Sequence, residues 1–378
     1  MKAGTAYAVC ICALALSGTS AAEGAAAAAR ASNSEPRYYT LADFQRVEKI
    51  DSHMHVNGRA DRLIAQAIAD HFRILTINVE APDYPSIREQ RVTAVSLRER
   101  YPGRVAFAAT FSVEGFQSPG WSAAALRDIV EAVAQGAVGV KIWKNIGMAL
   151  RDADGSYVMP DDARLDPIIA RLEQQHLVLL GHQAEPRNCW LPLERMTVRG
   201  DREYFAAHPQ YYMYQHPEMP SQETILAARD RMLTAHPALR FDAVHLASLE
   251  SDVDRVAAFL ERFPNTSVDM AARLVHLEYQ AASDPEKVRR FLIRYQDRVL
   301  YGSDDDYGPA DDDPRAVAEV HAGWVEDWRF LATSDRMHSE DFADAFQGLH
   351  LPSTVVDKIY RRNAEALFVN AWATPPAR

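Results

Sequence analysis

The chain has 378 residues, of which 48% are hydrophobic and 25% charged, with a net charge of −11 at neutral pH. This is ordinary globular composition, long enough for two ordinary domains or one α/β barrel with insertions. The acid excess argues against a nucleic-acid or anionic-membrane partner, both of which call for a basic face, and leaves a small molecule as the expected partner.

The first thirty residues, "MKAGTAYAVCICALALSGTSAAEGAAAAAR", carry one early lysine, an apolar run from Ala6 to Leu16 and then small residues. That is the build of a secretory signal, and the apolar run is too short to span a bilayer. A signal peptide is expected over 1–22, with cleavage near Ser20-Ala21-Ala22, then a leader over 23–46 and one domain over 47–372. Cys10 and Cys12 leave with the signal, so Cys189 remains alone and forms no internal disulfide. The expected location is periplasmic or extracellular.

From Val47 onward, short β-rich runs alternate with amphipathic stretches. Strands are predicted at 49–56, 72–79, 104–111, 137–143, 177–182, 241–246, 266–271 and 298–305. Most are almost continuously apolar, as parallel strands covered on both faces should be. Helical patterns lie between them, with predicted caps at Ser122, at Ser251 with Asp254 three residues on, and at Asp284 with Pro285 in the first turn. Eight strands, each followed by helical sequence, predict a (β/α)8 TIM-like barrel; a doubly wound open sheet is the fallback. Insertions are predicted after strands four and five. The first, "LRDADGSYVMPDD", has a hairpin turn at Asp154-Gly155. The second, from Gln183 to about Pro220, is rich in aromatic residues and proline and should fold over the barrel mouth. His208 and His216 belong to that loop and are read as structural.

Barrel enzymes hold their chemistry at the C-terminal ends of strands. There this sequence has His53 and His55 in "KIDSHMHV", His182 in "LVLLGH", His245 in "FDAVHL" and Asp304 in "RVLYGSDD". Positions i and i+2 of a strand face the same way, so His53 and His55 point together. Four imidazoles and a carboxylate can surround a divalent ion such as zinc or iron. The acidic run Asp305–Asp313 lacks the spacing of a calcium loop and reads as a solvated loop.

With this set in hand, the sequence resembles the amidohydrolase superfamily, specifically its amidohydrolase-related branch of hydrolases and decarboxylases, from about Ile50 to Phe368. The family's strand-one His-x-His matches His53 and His55, and its strand-five and strand-six histidines match His182 and His245. Its strand-eight aspartate matches Asp304, and "RRNAEALF" is similar to its final helix. The resemblance implies a divalent metal, with zinc expected, as one ion or as two. Two would require Lys141 to be the carbamylated strand-four lysine that bridges metals in some relatives; Lys144 is the weaker substitute, lying beyond the strand. Arg273, Glu185, Asn188 and Trp190 are candidate substrate-binding residues.

Three functions follow. The leading one is a metal-dependent hydrolase of amides, lactones or esters, with Asp304 as base and His245 holding the substrate oxygen. The alternatives are a non-oxidative decarboxylase with the same metal shell and a non-catalytic metal-binding barrel. A homo-oligomer stays open. N-terminal sequencing of native protein should find a start near Glu23; an intact Met1 or Lys2 would remove the export reading.

Overall fold

A computed structural model describes residues 36–373, apart from Pro309 and Asp311. The expected signal peptide therefore lies outside the described residues. The eight strands fall where the apolar runs put them: β1 Lys49–Val56, β2 Phe72–Ile77, β3 Val105–Ala108, β4 Gly139–Ile142, β5 Val178–Gly181, β6 Arg240–Ala243, β7 Thr266–Asp269 and β8 Val299–Leu300. A further short strand, β9 Asp306–Tyr307, runs parallel to the end of β1. The longer helices are α1 Asp61–Ala69, α2 Ile87–Arg100, α3 Trp121–Ala134, α4 Asp166–Gln174, α5 Arg199–Ala207, α6 Gln222–Ala235, α7 Val253–Arg262, α8 Leu274–Ser283, α9 Pro285–Arg294 and α10 Pro314–Ala332.

The strands pair in parallel in two arcs, β3-β2-β1-β9 and β4-β5-β6-β7-β8. Backbone hydrogen bonds join the arcs at both seams. Between β3 and β4, the Lys141 amide donates to the Ala109 carbonyl at 2.7 Å. Between β8 and β1, the Ser52 amide donates to Tyr301 at 3.1 Å and the Asp304 amide to His53 at 2.8 Å. The sheet is thus a closed (β/α)8 barrel. Ile50, Leu75, Ala106, Val178, Leu180 and Leu300 fill its interior, while α1, α3 and α7 press Leu63, Ile129 and Val256 against its outside. Both strand faces are buried, which explains why the strands read as continuous apolar runs.

The ends of the barrel are treated differently. Leu367, Phe368 and Trp372 pack with the interior residues and close the N-terminal end. There Asn363 donates to the carbonyls of Gln296 and Val299, both at 2.7 Å, and the Trp372 indole donates to Ile74 at 3.2 Å. At the other end the two insertions rise. The first forms the expected hairpin, with Arg151 bridged to Tyr157 and Gly155 at φ +85° in the turn.

Several local expectations shift. Asp284 caps α9 as predicted, accepting from the Lys287 amide. The cap of α7 is Asp252 rather than Ser251, because Asp252 accepts from the Asp254 amide. Ser122 lies inside α3 and donates to the Arg164 carbonyl instead. The compact unit begins at Tyr38, not at Val47. Residues 41–45 form a 3₁₀ turn whose Phe44 is buried, and the buried Lys49 amine donates to the Phe44 and Val47 carbonyls at 2.6 and 2.8 Å. Those bonds hold the end of the expected leader onto the barrel.

The acidic run 305–313 is not a plain solvated loop either. Asp306 and Tyr307 pair with His55 and Val56, and Asp313 caps α10. Asp306 and Asp313 are therefore structural, one by backbone pairing at a strand end and one as a helix cap.

Gly181 tests the packing of the layer between the strands and the outer helices. A Cβ at this position would lie 2.2 Å from Cζ of the fully buried Phe241 ring on β6. Gly181→Ala should therefore lower stability by about 1–3 kcal/mol through overpacking. Denaturant unfolding measures it, and an unchanged midpoint would show that the ring has room to move.

Candidate metal centre

Three of the four imidazoles at the barrel mouth are each oriented by one hydrogen bond from Nδ1. His53 Nδ1 sits 2.6 Å from Asp269 Oδ2, His55 Nδ1 2.8 Å from the Ile77 carbonyl, and His245 Nδ1 2.9 Å from the Ala271 carbonyl. Carbonyl and carboxylate oxygens only accept, so Nδ1 carries the proton in all three rings and Nε2 keeps its lone pair. Asp304 Oδ1 then lies 3.2 Å from His53 Nε2 and 3.3 Å from His55 Nε2. Three acceptors face one another without a proton of their own to share.

The remaining histidine completes the group. The His182 ring centroid is 4.2 Å from that of His245, which is 4.8 Å from that of His53. His182 Nε2 is buried and has no hydrogen-bond partner among the described residues. Burial pushes His182 and His245 well below the ordinary imidazole range, and burial together with the Lys141 charge lowers His53. Burial raises the Asp304 carboxyl, but the surrounding His245, His53 and His55 outweigh it and hold the group well below the carboxylate range. Neutral imidazoles, an ionised carboxylate and an orphaned ring nitrogen fit a divalent cation. Ligand atoms of His53, His245 and Asp304 all lie within 4.8 Å of one another. His55 and His182 stand beside that trio.

The backbone is distorted to present these groups. His245, Leu246, Ala247 and Ser248 all have left-handed φ, between +53° and +60°, and Asp304 has φ +72°. Such conformations cost of order 1 kcal/mol or more each in non-glycine residues and persist only where the surroundings enforce them. Here α6 does so. Its buried Arg229 donates to the Ala247 carbonyl at 2.6 Å, and its Gln222 to the Ser248 carbonyl at 3.1 Å. Gly302 provides the other clearance, since a Cβ there would come 2.7 Å from His53 Cβ.

Lys141 Nζ lies 3.2 Å from His53 Nε2, inside the barrel. Burial pushes its ammonium down to about 8, against the pull of Asp269 and Asp304. Lys144, by contrast, is ion-paired with Glu185 on the wall of the cavity the histidines line. Two acids that the sequence reading passed over belong to the site. Asp269 receives His53 on Oδ2 and the backbone amides of His245 and Ala271 on Oδ1, at 2.7 and 3.2 Å. Burial opposes its ionisation, yet His53 and its hydrogen bond, with His245 and Lys141, bring it to about 2. Asp242 is fully buried, with both oxygens unpartnered among the described residues, and burial raises it well above the carboxylate range. The signal for both was present in "TSVDMA" and "RFDAV": an acid inside a buried strand.

Above the centre is a cavity of about 240 Å³, lined by His55, His182, His245 and Asp304 together with Tyr84 and Trp143. Tyr204 and Tyr211 of the strand-five insertion also line it, so that insertion does cover the mouth. His208 and His216 bond the carbonyls of Tyr204 and Pro209 within the insertion, as a structural role requires. The other proposed substrate contacts are not at this cavity. Asn188 is spent on Thr197 and Asp201, Trp190 packs against the core, and Arg273 is a buried residue at the start of α8. None of the three lines the mouth. Glu185 opens onto a neighbouring chamber, with its Oε2 3.9 Å from His182 Nε2.

The amidohydrolase family model matches residues 50–369 of this sequence. The chain belongs to the amidohydrolase family. This is a family of metal-dependent enzymes that includes hydrolases and decarboxylases. Among solved structures, an uncharacterised TIM-barrel protein from Bordetella bronchiseptica is 16% identical, covering 86% of this chain and 99% of its own, with a TM-score of 0.49. A 2,6-dihydroxybenzoate decarboxylase from Rhizobium is 15% identical over 85% of this chain and 98% of its own, with a TM-score of 0.47. A 4-oxalomesaconate hydratase from Rhodopseudomonas palustris is 12% identical over 85% and 95%, with a TM-score of 0.43. No curated protein sequence matches the chain.

Asp269 orients His53 without joining the cluster itself. Asp269→Asn should weaken metal binding by about 10–100-fold, the usual effect of removing such a partner. Metal titration of the apo amidohydrolase reads this directly. Unchanged affinity would reduce Asp269 to a backbone brace.

Proposed function

We propose that this amidohydrolase is a hydrolase that attacks an amide, lactone or ester carbonyl, with Asp304 as its general base. The observation that carries the reading is the contact of the Asp304 carboxylate with two imidazole nitrogens, His53 Nε2 and His55 Nε2, at the floor of an open cavity. His53, His55, His182, His245 and Asp304 would hold the ion, and this mixed imidazole–carboxylate set suits zinc. A divalent cation there supplies Lewis acidity, which acidifies a water and polarises a substrate carbonyl.

The chain's own groups do the rest. Asp304 is ionised, so it takes a proton from the attacking water and returns it to the leaving group. His245, kept neutral by burial, has its Nδ1 proton on the Ala271 carbonyl, which leaves Nε2 with a lone pair that can hold the ion or accept a proton but cannot donate one. Tyr84, whose hydroxyl burial and the hydrogen bond to Asp306 keep protonated, lies against His55 with ring centroids 5.5 Å apart and forms part of the cavity wall. Tyr204 and Tyr211 narrow the opening and limit bulk water.

Hydrolysis is favoured over decarboxylation by the charges around the cavity. Among the described residues no arginine lines it, and the charge of Lys144 is already met by Glu185. Buried Arg273 is close enough for its charge to lower His182 and His245 but is not part of the lining, so a carboxylated substrate would find no bidentate clamp on the cavity wall itself. Decarboxylation is the second reading, and Lys141, which does line the cavity, is the observation in its favour. Export, proposed from the N-terminal segment, is compatible with either chemistry.

Asp304→Asn keeps the shape and one oxygen but cannot take a proton. With metal content measured alongside, this variant should retain much of its ion and lose at least about 10²-fold in turnover on the lactones, amides or esters that the wild type accepts. Full turnover with metal bound would remove Asp304 as base. Activity confined to aromatic carboxylic acids would transfer the assignment to the decarboxylase.

A further inference from the structure

Beside the mouth cavity is a second chamber of about 280 Å³, built where the two insertions meet. The insertion after β4 contributes Met148, Arg151 and Tyr157, and the insertion after β5 contributes Gln210, Met213 and Met219. Trp143, Lys144 and Tyr211 line both spaces, so they form the threshold between them. Each space alone is below the roughly 300 Å³ at which ordinary ligand pockets begin, and the two together fall inside that range. A molecule that reaches the metal centre and fills the site must therefore extend across the threshold.

The chemistry of the chamber follows from which of its charges are already used. Lys144 is paired with Glu185, whose side chain is only 6% exposed. An anion seeking Lys144 would have to displace a buried carboxylate. Arg151 stacks over Tyr157 at 3.9 Å from the ring centroid and donates to the Gly155 carbonyl at 2.8 Å. With both cations engaged, the surface left to a ligand is uncharged and mostly thioether and aromatic, Met148, Met213 and Met219 with Trp143 and Tyr211, and the neutral amides of Asn145 and Gln210 are its polar groups. Methionine adapts to irregular shapes and its sulfur is attracted to aromatic rings. Arg151 already covers one face of Tyr157, so a flat π-system gains chiefly from the Tyr211 and Trp143 rings.

We propose that this chamber holds an uncharged, apolar arm of the substrate, preferably aromatic, while the reactive carbonyl sits at the metal centre. The proposal rests on the hydrolase reading for the position of the reactive end, and it adds the substrate class: an elongated amide, lactone or ester with an aryl or arylalkyl substituent. Selection is then shared between the two insertions. The β4 hairpin and the β5 insertion supply opposite parts of one wall, and neither encloses the arm alone.

Zinc-loaded full-length protein, titrated calorimetrically with three hydroxamates, tests this. Acetohydroxamate has no arm, 4-phenylbutyrohydroxamate has an aryl arm, and succinomonohydroxamate has an anionic arm. The aryl arm should tighten binding at least tenfold over acetohydroxamate, and the anionic arm should give no gain. Ala149→Trp, at an exposed position on the chamber wall, should abolish the aryl gain and leave acetohydroxamate unchanged. Met219→Trp fills the chamber from the other insertion and should do the same, which guards against a folding defect in either variant. An aryl gain that survives both fillings, or an equal gain from the anionic arm, overturns the proposal. Failure of acetohydroxamate to bind would count against the metal centre instead. The chamber is then read with 4-phenylbutyramide, which has no chelating group; binding sensitive to both fillings supports it, and absent or insensitive binding overturns it.

Discussion

The mouth of this barrel depends on one buried carboxylate. Asp269 uses one oxygen on the His53 ring and the other on two backbone amides, those of His245 and Ala271. It thereby ties strand one, the turn after strand six and its own strand into a fixed relation. A carboxylate buried this deeply is costly unless its lone pairs are satisfied, and here each oxygen accepts at least one hydrogen bond. Once Asp269 is ionised, the tautomer of His53 follows, and with it the direction of the lone pair. The neighbouring rings follow the same pattern using carbonyls, so the polarity of the whole cluster comes from partners one step removed from it.

The turn after strand six shows what it takes to build such a centre. Four consecutive left-handed residues would not persist in a free peptide. They persist because Arg229 and Gln222, both buried, hold their carbonyls from a neighbouring helix. The strain is local and its support is distant in sequence. This division is common where a site needs a geometry that secondary structure does not offer.

That division also explains what could be read from the residues. The strands were legible because both of their faces are apolar, and the five ligand candidates because polar residues ending apolar runs stand out. Asp269 and Asp242 sit within the same kind of run, yet a lone acid in a strand gives no clue to its partner. The caps were legible to within a residue: Ser251 and Asp252 are both good cap residues, and only the path of the backbone chooses between them. Arg273, Asn188 and Trp190 were placed by proximity to the mouth in sequence. Their actual surroundings depend on how an insertion of some forty residues folds back on itself, and no periodicity encodes that. The aspartate-rich run misled for a related reason. Charge density suggested solvent, whereas the pairing of Asp306 with His55 is a tertiary contact.

The seam between the first and last strands has a kinetic consequence. His53 and Asp304 meet across it, and its backbone bonds join residues about 250 positions apart, as in Ser52 to Tyr301. Contacts of such long range are late events in folding, because the entropy of closing the loop is lost before the contacts repay it. The ligand cluster does not exist until that loop has closed. An ion that binds only the assembled cluster stabilises the closed ring over every open form, in proportion to its concentration over its dissociation constant. Ion uptake is then a report on ring closure, and a chain short of the ion spends more of its time unsealed along that one line.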